Sequence, residues 1–154
     1  MKSIINHQGK QKMINNENSL NRFIIAQDKI YKQVLYELSN GKKQTHWMWF
    51  IFPQIIGLGR SPIAKYYSIK NKEEAILYLK NPILGNRLQE CCTLLLNINK
   101  TASQIFNFPD DLKLQSSMTL FAYISNNNSI FHCVLNKYFN GNMDKKTLDL
   151  LEDL

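Results

Sequence analysis

The stretch QTHWMWFIFPQIIGLGRS, residues 44–61, decides how the chain is read. It holds both tryptophans, two phenylalanines, a proline, two glycines, a histidine and an arginine. Its apolar residues keep neither the 3.6-residue period of an amphipathic helix nor the alternation of a strand. A run this apolar, yet dotted with polar groups and Gly/Pro, reads as a rigid aromatic base that presents a few polar side chains. Met48, Phe50, Ile51 and Phe52 are expected in the core, and His46, Gln54 and Arg60 are the polar positions of interest. Trp47–Phe52 is expected as a short helix, capped by Thr45 and ended by Pro53. Gly57 and Gly59 allow positive φ or a close backbone approach, and Ser61-Pro62 reads as an N-cap followed by proline at the first helical position.

Upstream, Phe23, Ala26, Ile30, Val34 and Leu38 recur at three- and four-residue steps. That spacing predicts an amphipathic helix, capped by Asn18 or Ser19 and stopped at Asn40-Gly41. Gln27 is the polar residue nearest its apolar stripe, and its ordinary reading is a solvated side chain. Residues 1–17 are polar and aperiodic and are expected as a mobile tail, with residues 18–154 as one domain.

Downstream, punctuation is regular. Asn71 caps KEEAILYLK, and Asn81-Pro82 ends that helix and begins the next. Gly85 inside the second costs roughly 1 kcal/mol relative to alanine, and a close helix crossing would explain it. Thr101 caps ASQIF. Met118, Phe121 and Ile124 suit a helix, for which residues 109–115 supply either the first turns or a preceding loop. Further helices end at Asn140-Gly141 and begin at Asp144. No stretch alternates as a strand. The expectation is an all-α, single multihelical domain of seven to nine helices, packed orthogonally around a central buried helix.

Composition narrows the function classes. The chain has 154 residues, 44% hydrophobic and 20% charged, enough for one real core. The net charge is +7, but the lysines are scattered and there are only three arginines, so nucleic-acid binding is disfavoured. Cys91, Cys92 and Cys133 give an odd count without CxxC spacing, which argues against a disulfide framework or a zinc site. Buried thiols are expected. No apolar run is long enough to cross a membrane and the N-terminus lacks a signal-peptide core, so the expected setting is cytoplasmic.

Three clusters carry candidate chemistry. His46 beside Trp47, Trp49 and Gln54 offers an acid or base on an aromatic floor. Gly57–Ser61, GLGRS, is a weak anion cradle in which backbone N–H groups and the Arg60 fork meet Gly59 and Ser61. It is neither a Walker nor a dinucleotide motif, and its bland alternative is a tight turn with Arg60 paired to a carboxylate. The third cluster holds Asp110, Asp111, Lys113, Ser116, Ser117 and Thr119. Lys113 lies three and four residues from the two serines, but the order of the Ser-x-x-Lys motif is reversed. The adjacent carboxylates offer Mg²⁺ ligation or acid–base work, against a simple role in stabilising a helix N-terminus.

The blocks HWMWFIFPQ, GLGRS, NPILGNRL and FPDDLKLQSSMTLF, with Ala26-Gln27 and YFNG at Tyr138–Gly141, resemble the bacterial family of domain of unknown function 1810. The likeness covers about Leu20 to Leu151. It implies a single all-α domain of bacterial or related origin. It implies no activity, cofactor or metal. The calpastatin label sometimes attached to the family does not suit this chain, because nothing in it looks like a calpain-inhibitory repeat.

Together these readings lead to a small-ligand pocket between the aromatic block and the DDLKLQSSMT block. Its expected partner is a phosphorylated or nucleotide-like molecule, with no membrane and no nucleic acid. Acid–base candidates are His46, Asp111 and Lys113. Ligand-contact candidates are Gln27, Trp47, Trp49, Gln54, Gly59, Arg60, Ser61, Asp110, Ser116, Ser117 and Thr119. The alternative is a non-enzymatic helical interaction module, in which both blocks mainly build core.

Overall fold

Capping residues set most of the helix boundaries. A computed structural model describes the backbone of residues 2–153 and the side chains of residues 19–153. The described residues form nine helices: α1 (Lys2–Ser39), α2 (Met48–Ile51), α3 (Pro62–Tyr66), α4 (Lys72–Lys80), α5 (Pro82–Leu96), α6 (Ala102–Phe106), α7 (Asp110–Tyr123), α8 (Ile130–Phe139) and α9 (Lys145–Asp153). The Ser61, Asn71 and Asn81 side chains each accept a backbone N–H at the start of α3, α4 and α5. Thr101 and Gln104 form a reciprocal capping box on α6. Asn140 closes α8 in the left-handed region, and Gly41 follows α1 at φ 67°. The only pairing of β type among the described residues is a single parallel bridge between Ile55 and Ile69.

Two expected caps differ. α1 passes through Ser19, whose hydroxyl instead donates to Glu74 Oε2 at 3.0 Å. Thr45 does not cap α2: its hydroxyl donates to Glu37 Oε2 at 2.6 Å, and Trp47 precedes the helix with no side-chain cap. The polar stretch expected as a tail lies outside the residues whose side chains are described.

α7 is the central helix. Leu114, Ser116, Ser117, Met118, Thr119, Leu120, Phe121 and Ala122 are all buried. It packs on α6, α8 and α9. It meets α5 where Cys92 Sγ lies 3.7 Å from Met118 Sδ, and α4 where the Tyr78 and Phe121 rings sit 5.4 Å apart. The close helix approach expected at Gly85 is made to α4: a Cβ there would fall 2.1 Å from the Leu79 carbonyl oxygen.

The aromatic block is bolted to this core. Met48, Phe50, Ile51 and Phe52 are buried as expected, and so is Trp47. Trp47, Phe52 and Phe106 form a ring cluster with centroids 6.1–6.4 Å apart. Glu37 anchors the block from α1. Its Oε1 accepts from the Thr45 N–H at 2.9 Å, the Gln44 N–H at 2.5 Å and Trp47 Nε1 at 3.1 Å, while Gln33 donates to its Oε2 at 3.0 Å. Burial works to raise this carboxyl's pKa, but the Thr45 hydroxyl and the Gln44 and Thr45 N–H bonds outweigh it and bring it down to about 2. Gln27 is the second anchor and is not solvated. It is buried, donates to Phe50 O at 2.7 Å and Tyr78 Oη at 3.1 Å, and accepts from Arg87 at 3.3 Å.

Candidate functional site

Past Pro53 the chain turns outward, and the wall of a cleft of about 430 Å³ begins. The wall has three parts. Trp49, Gln54, Leu58, Gly59, Arg60, Ser61 and Ala64 come from the aromatic block and α3; Pro109, Leu112, Lys113 and Ser116 come from α7 and the residue before it; Asp144 and Lys146 come from the start of α9.

The first part is held by backbone. Ile69 N donates to Gln54 O and Ile56 N donates to Ile69 O, both at 2.8 Å. Gly57 adopts φ 105°, a region that other residues resist. Gly59 lies so close to α3 that a Cβ would meet Ala64 Cβ at 2.5 Å. Both readings of these glycines, positive φ and close approach, are thus realised in adjacent turns. Ser61 Oγ accepts the Ala64 N–H at 3.2 Å.

The second part is set by charge. Lys113 Nζ sits 4.9 Å from the Trp49 ring centroid and 3.3 Å from Asp110 Oδ1. Asp110 does not line the cleft. It bridges Lys113 to Lys43, whose Nζ lies 2.8 Å from Asp110 Oδ2 and also donates to Thr45 O at 2.7 Å. Lys43 in turn stands over the Trp47 ring at 5.1 Å. The two blocks are therefore joined by a Trp47–Lys43–Asp110–Lys113–Trp49 series of contacts.

The third part pins α9 to α7. Asp144 Oδ2 accepts from Thr147 N at 3.1 Å and from the Thr147 hydroxyl, and lies 3.2 Å from Ser116 Oγ. The Asp144 N–H donates to Thr119 Oγ1 at 2.9 Å. Arg60 and Lys146 complete the wall. Among the described residues neither cation has an ion pair or a hydrogen bond, so Arg60 is not the carboxylate-paired turn residue of the bland reading.

The expected site residues divide cleanly. Trp49, Gln54, Gly59, Arg60, Ser61, Lys113 and Ser116 share the cleft. Gln27 and Trp47 are buried anchors. His46 is exposed and lies outside the cleft wall. Asp111 accepts the adjacent Leu112 N–H at 2.9 Å and is not part of the wall. Thr119 is buried and serves Asp144, while Ser117 is buried and its hydroxyl has no partner among the described residues. From the sequence Asp144 is expected only as the start of a helix, and no motif singles out Lys146. Ser116 and Asp144 are 28 residues apart, so no local spacing pairs them.

The three cysteines divide by burial. Cys91 and Cys92 are buried as expected, and burial pushes the Cys91 thiol up to about 12 and the Cys92 thiol well above its ordinary value. Cys133 is exposed, contrary to its expected burial, because it lies on the outer side of α8, opposite Phe131, Val134 and Leu135. Among the described residues no group of three or more His, Cys, Asp or Glu side chains could hold a metal ion, and no helix is long and apolar enough to cross a membrane.

The aromatic block, GLGRS and DDLKLQSSMT thus form one continuous structure, and residues 17–151 match the family described as Protein of unknown function (DUF1810). The chain belongs to the DUF1810 family. The crystal structure of the conserved hypothetical protein Rv1873 from Mycobacterium tuberculosis, solved at 1.38 Å, is similar to it, with 48% identity and a TM-score of 0.85 over 86% of this chain and 96% of that one. No curated protein matches the chain.

Proposed function

We propose that this DUF1810 chain binds a small phosphorylated or nucleotide-like molecule in the cleft. Arg60 and Lys146 hold the anion, and Trp49 and Leu58 lie against the body of the ligand. The observation that carries this reading is the pair of cations, Arg60 and Lys146, which among the described residues form no ion pair and share one concave wall with an aromatic ring. The two unpaired cations exceed the one carboxylate on the wall, Asp144, and an arriving anion relieves that excess of positive charge. Arginine supplies the planar fork that suits phosphate oxygens. The volume falls in the range of small-molecule sites.

The reading is one of binding rather than turnover. Of the acid–base candidates only Lys113 lines the cleft, and its ammonium is shared between Asp110 and the Trp49 ring. The test is a thermal-shift screen with nucleotides, ADP-ribose derivatives and sugar phosphates. A specific ligand at a hundredfold excess over its Kd stabilises the fold by ~2.7 kcal/mol. The shift is expected to vanish in the Arg60→Ala/Lys146→Ala double variant. A shift that survives both substitutions places the ligand elsewhere and ends the reading.

The second reading, a helical interaction module, draws on Phe108 at 76% exposure and Leu112 at 49% beside the Pro109 wall. It predicts no small-molecule shift from the whole screen.

A further inference from the structure

The cleft is not lined by cations alone. Asp144 stands on the same wall, and three polar contacts hold its Oδ2: Thr147 N, Thr147 Oγ1 and Ser116 Oγ. Among the described residues its Oδ1 accepts no hydrogen bond. A carboxylate placed among cations weakens a site for a bare anion, since it repels the ligand that the cations attract. One of its oxygens is left able only to accept. Two neutral groups share the wall with it. Ser116 Oγ lies 3.2 Å from both Leu112 O and Asp144 Oδ2; its single proton serves one of them, and its lone pairs remain to accept. The Gln54 amide, half-buried on the wall, has no side-chain hydrogen bond among the described residues and can donate as well as accept.

Resting on the anion-binding reading above, we infer that the ligand carries neutral hydroxyl groups beside its phosphate, and that Asp144 is the residue that reads them. The donor is a hydroxyl rather than an ammonium. With Lys113 paired to Asp110, the unpaired Arg60 and Lys146 still outnumber the single Asp144 on the wall, so a second cation would meet net repulsion, while a neutral O–H meets none. The half-buried Trp49 face and the Leu58 and Pro109 side chains give the carbon skeleton of a sugar an apolar surface. The ligand class is a polyol or sugar phosphomonoester, with or without an attached base. Inorganic phosphate and simple alkyl phosphates are discriminated against, because they leave Asp144 without a donor and keep its repulsion.

Two probes separate this inference from the reading beneath it. Ribose 5-phosphate and n-pentyl phosphate carry the same phosphomonoester on five carbons, and only the first has hydroxyls. Titrated calorimetrically into the 154-residue chain, ribose 5-phosphate is expected to bind about tenfold more tightly, the worth of one hydrogen bond to a charged acceptor. Asp144→Asn keeps an N-cap oxygen for α9. It is expected to weaken ribose 5-phosphate about tenfold while leaving pentyl phosphate unchanged or tighter. Equal affinities in the wild-type chain overturn the hydroxyl inference and leave anion binding standing, and that comparison holds even where the Asn variant fails to fold. Equal loss of both ligands in a folded Asp144→Asn variant also overturns it, as damage to α9 rather than loss of a hydroxyl contact. Absence of binding by either probe at millimolar concentration removes the anion reading and the inference with it.

Discussion

The two ends of the aromatic block treat charge in opposite ways. At its front, Glu37 is buried at 1% exposure and accepts hydrogen bonds from Gln33, Gln44, Thr45 and Trp47. At its back, Arg60 and Lys146 face the cleft and, among the described residues, form no ion pair. A buried charge whose partners are complete is structural, and removing a partner is costly. A solvent-facing charge left open on a concave wall costs the fold little and can wait for a ligand. The two tryptophans divide the same way. Trp47 is fully buried with its indole N–H bonded to Glu37, whereas Trp49 is half-buried under Lys113. Sequence neighbours two positions apart thus serve the core and the cleft.

The sharpest way to break this contrast is to exchange the tryptophans for alanine in turn. Trp47→Ala should cost about 4 kcal/mol in urea unfolding, through lost packing and a stranded carboxylate. Trp49→Ala should cost about 1 kcal/mol and abolish the ligand-induced thermal shift. Similar losses for both would erase the division.

The next effect belongs to Glu37. Glu37→Gln should cost about 2 kcal/mol at neutral pH, because an amide cannot accept every bond the carboxylate does. It should also flatten the acid limb of the stability profile. The carboxyl titrates near 2 in the folded chain and near 4.5 when unfolded, so its contribution is complete above pH 4.5 and is lost as pH falls towards 2. Wild-type urea midpoints should therefore drop through that window more steeply than those of the variant.

Gly59→Ala is the intermediate case. Its Cβ would meet Ala64 Cβ at 2.5 Å, and relief requires the loop or α3 to move. A loss of about 1–2 kcal/mol is expected, with weaker ligand binding because Arg60 follows in the same loop. The smallest stability effect is expected at Arg60→Ala, within about 0.5 kcal/mol, since among the described residues no ion pair or hydrogen bond is removed. Its ligand affinity should nevertheless fall about tenfold, with a shallower salt dependence of binding.

Helices and their ends were legible in the sequence because caps are local. Ser61-Pro62, Asn71, Asn81-Pro82 and Thr101 each act on an N–H two or three residues away. Where a polar side chain found a distant partner instead, the local reading failed: Thr45 turned to Glu37 and Ser19 to Glu74. Glu37 itself carried a usable signal, standing three residues after Val34 on the apolar stripe of α1. A carboxylate on such a stripe needs buried donors, and the aromatic block supplies them.

By itself, then, the sequence determined the all-α class, the helix punctuation, the DUF1810 motifs and the core role of Met48, Phe50, Ile51 and Phe52. Those properties depend on period, cap chemistry and apolar burial, which act over a few residues. Tertiary structure alone decided that Trp47 is core and Trp49 cleft, that His46 stands apart, and that Asp144 and Lys146 complete the wall. Each of those outcomes depends on where α1, α7 and α9 meet the aromatic block, and contacts between segments so distant along the chain leave no spacing to read.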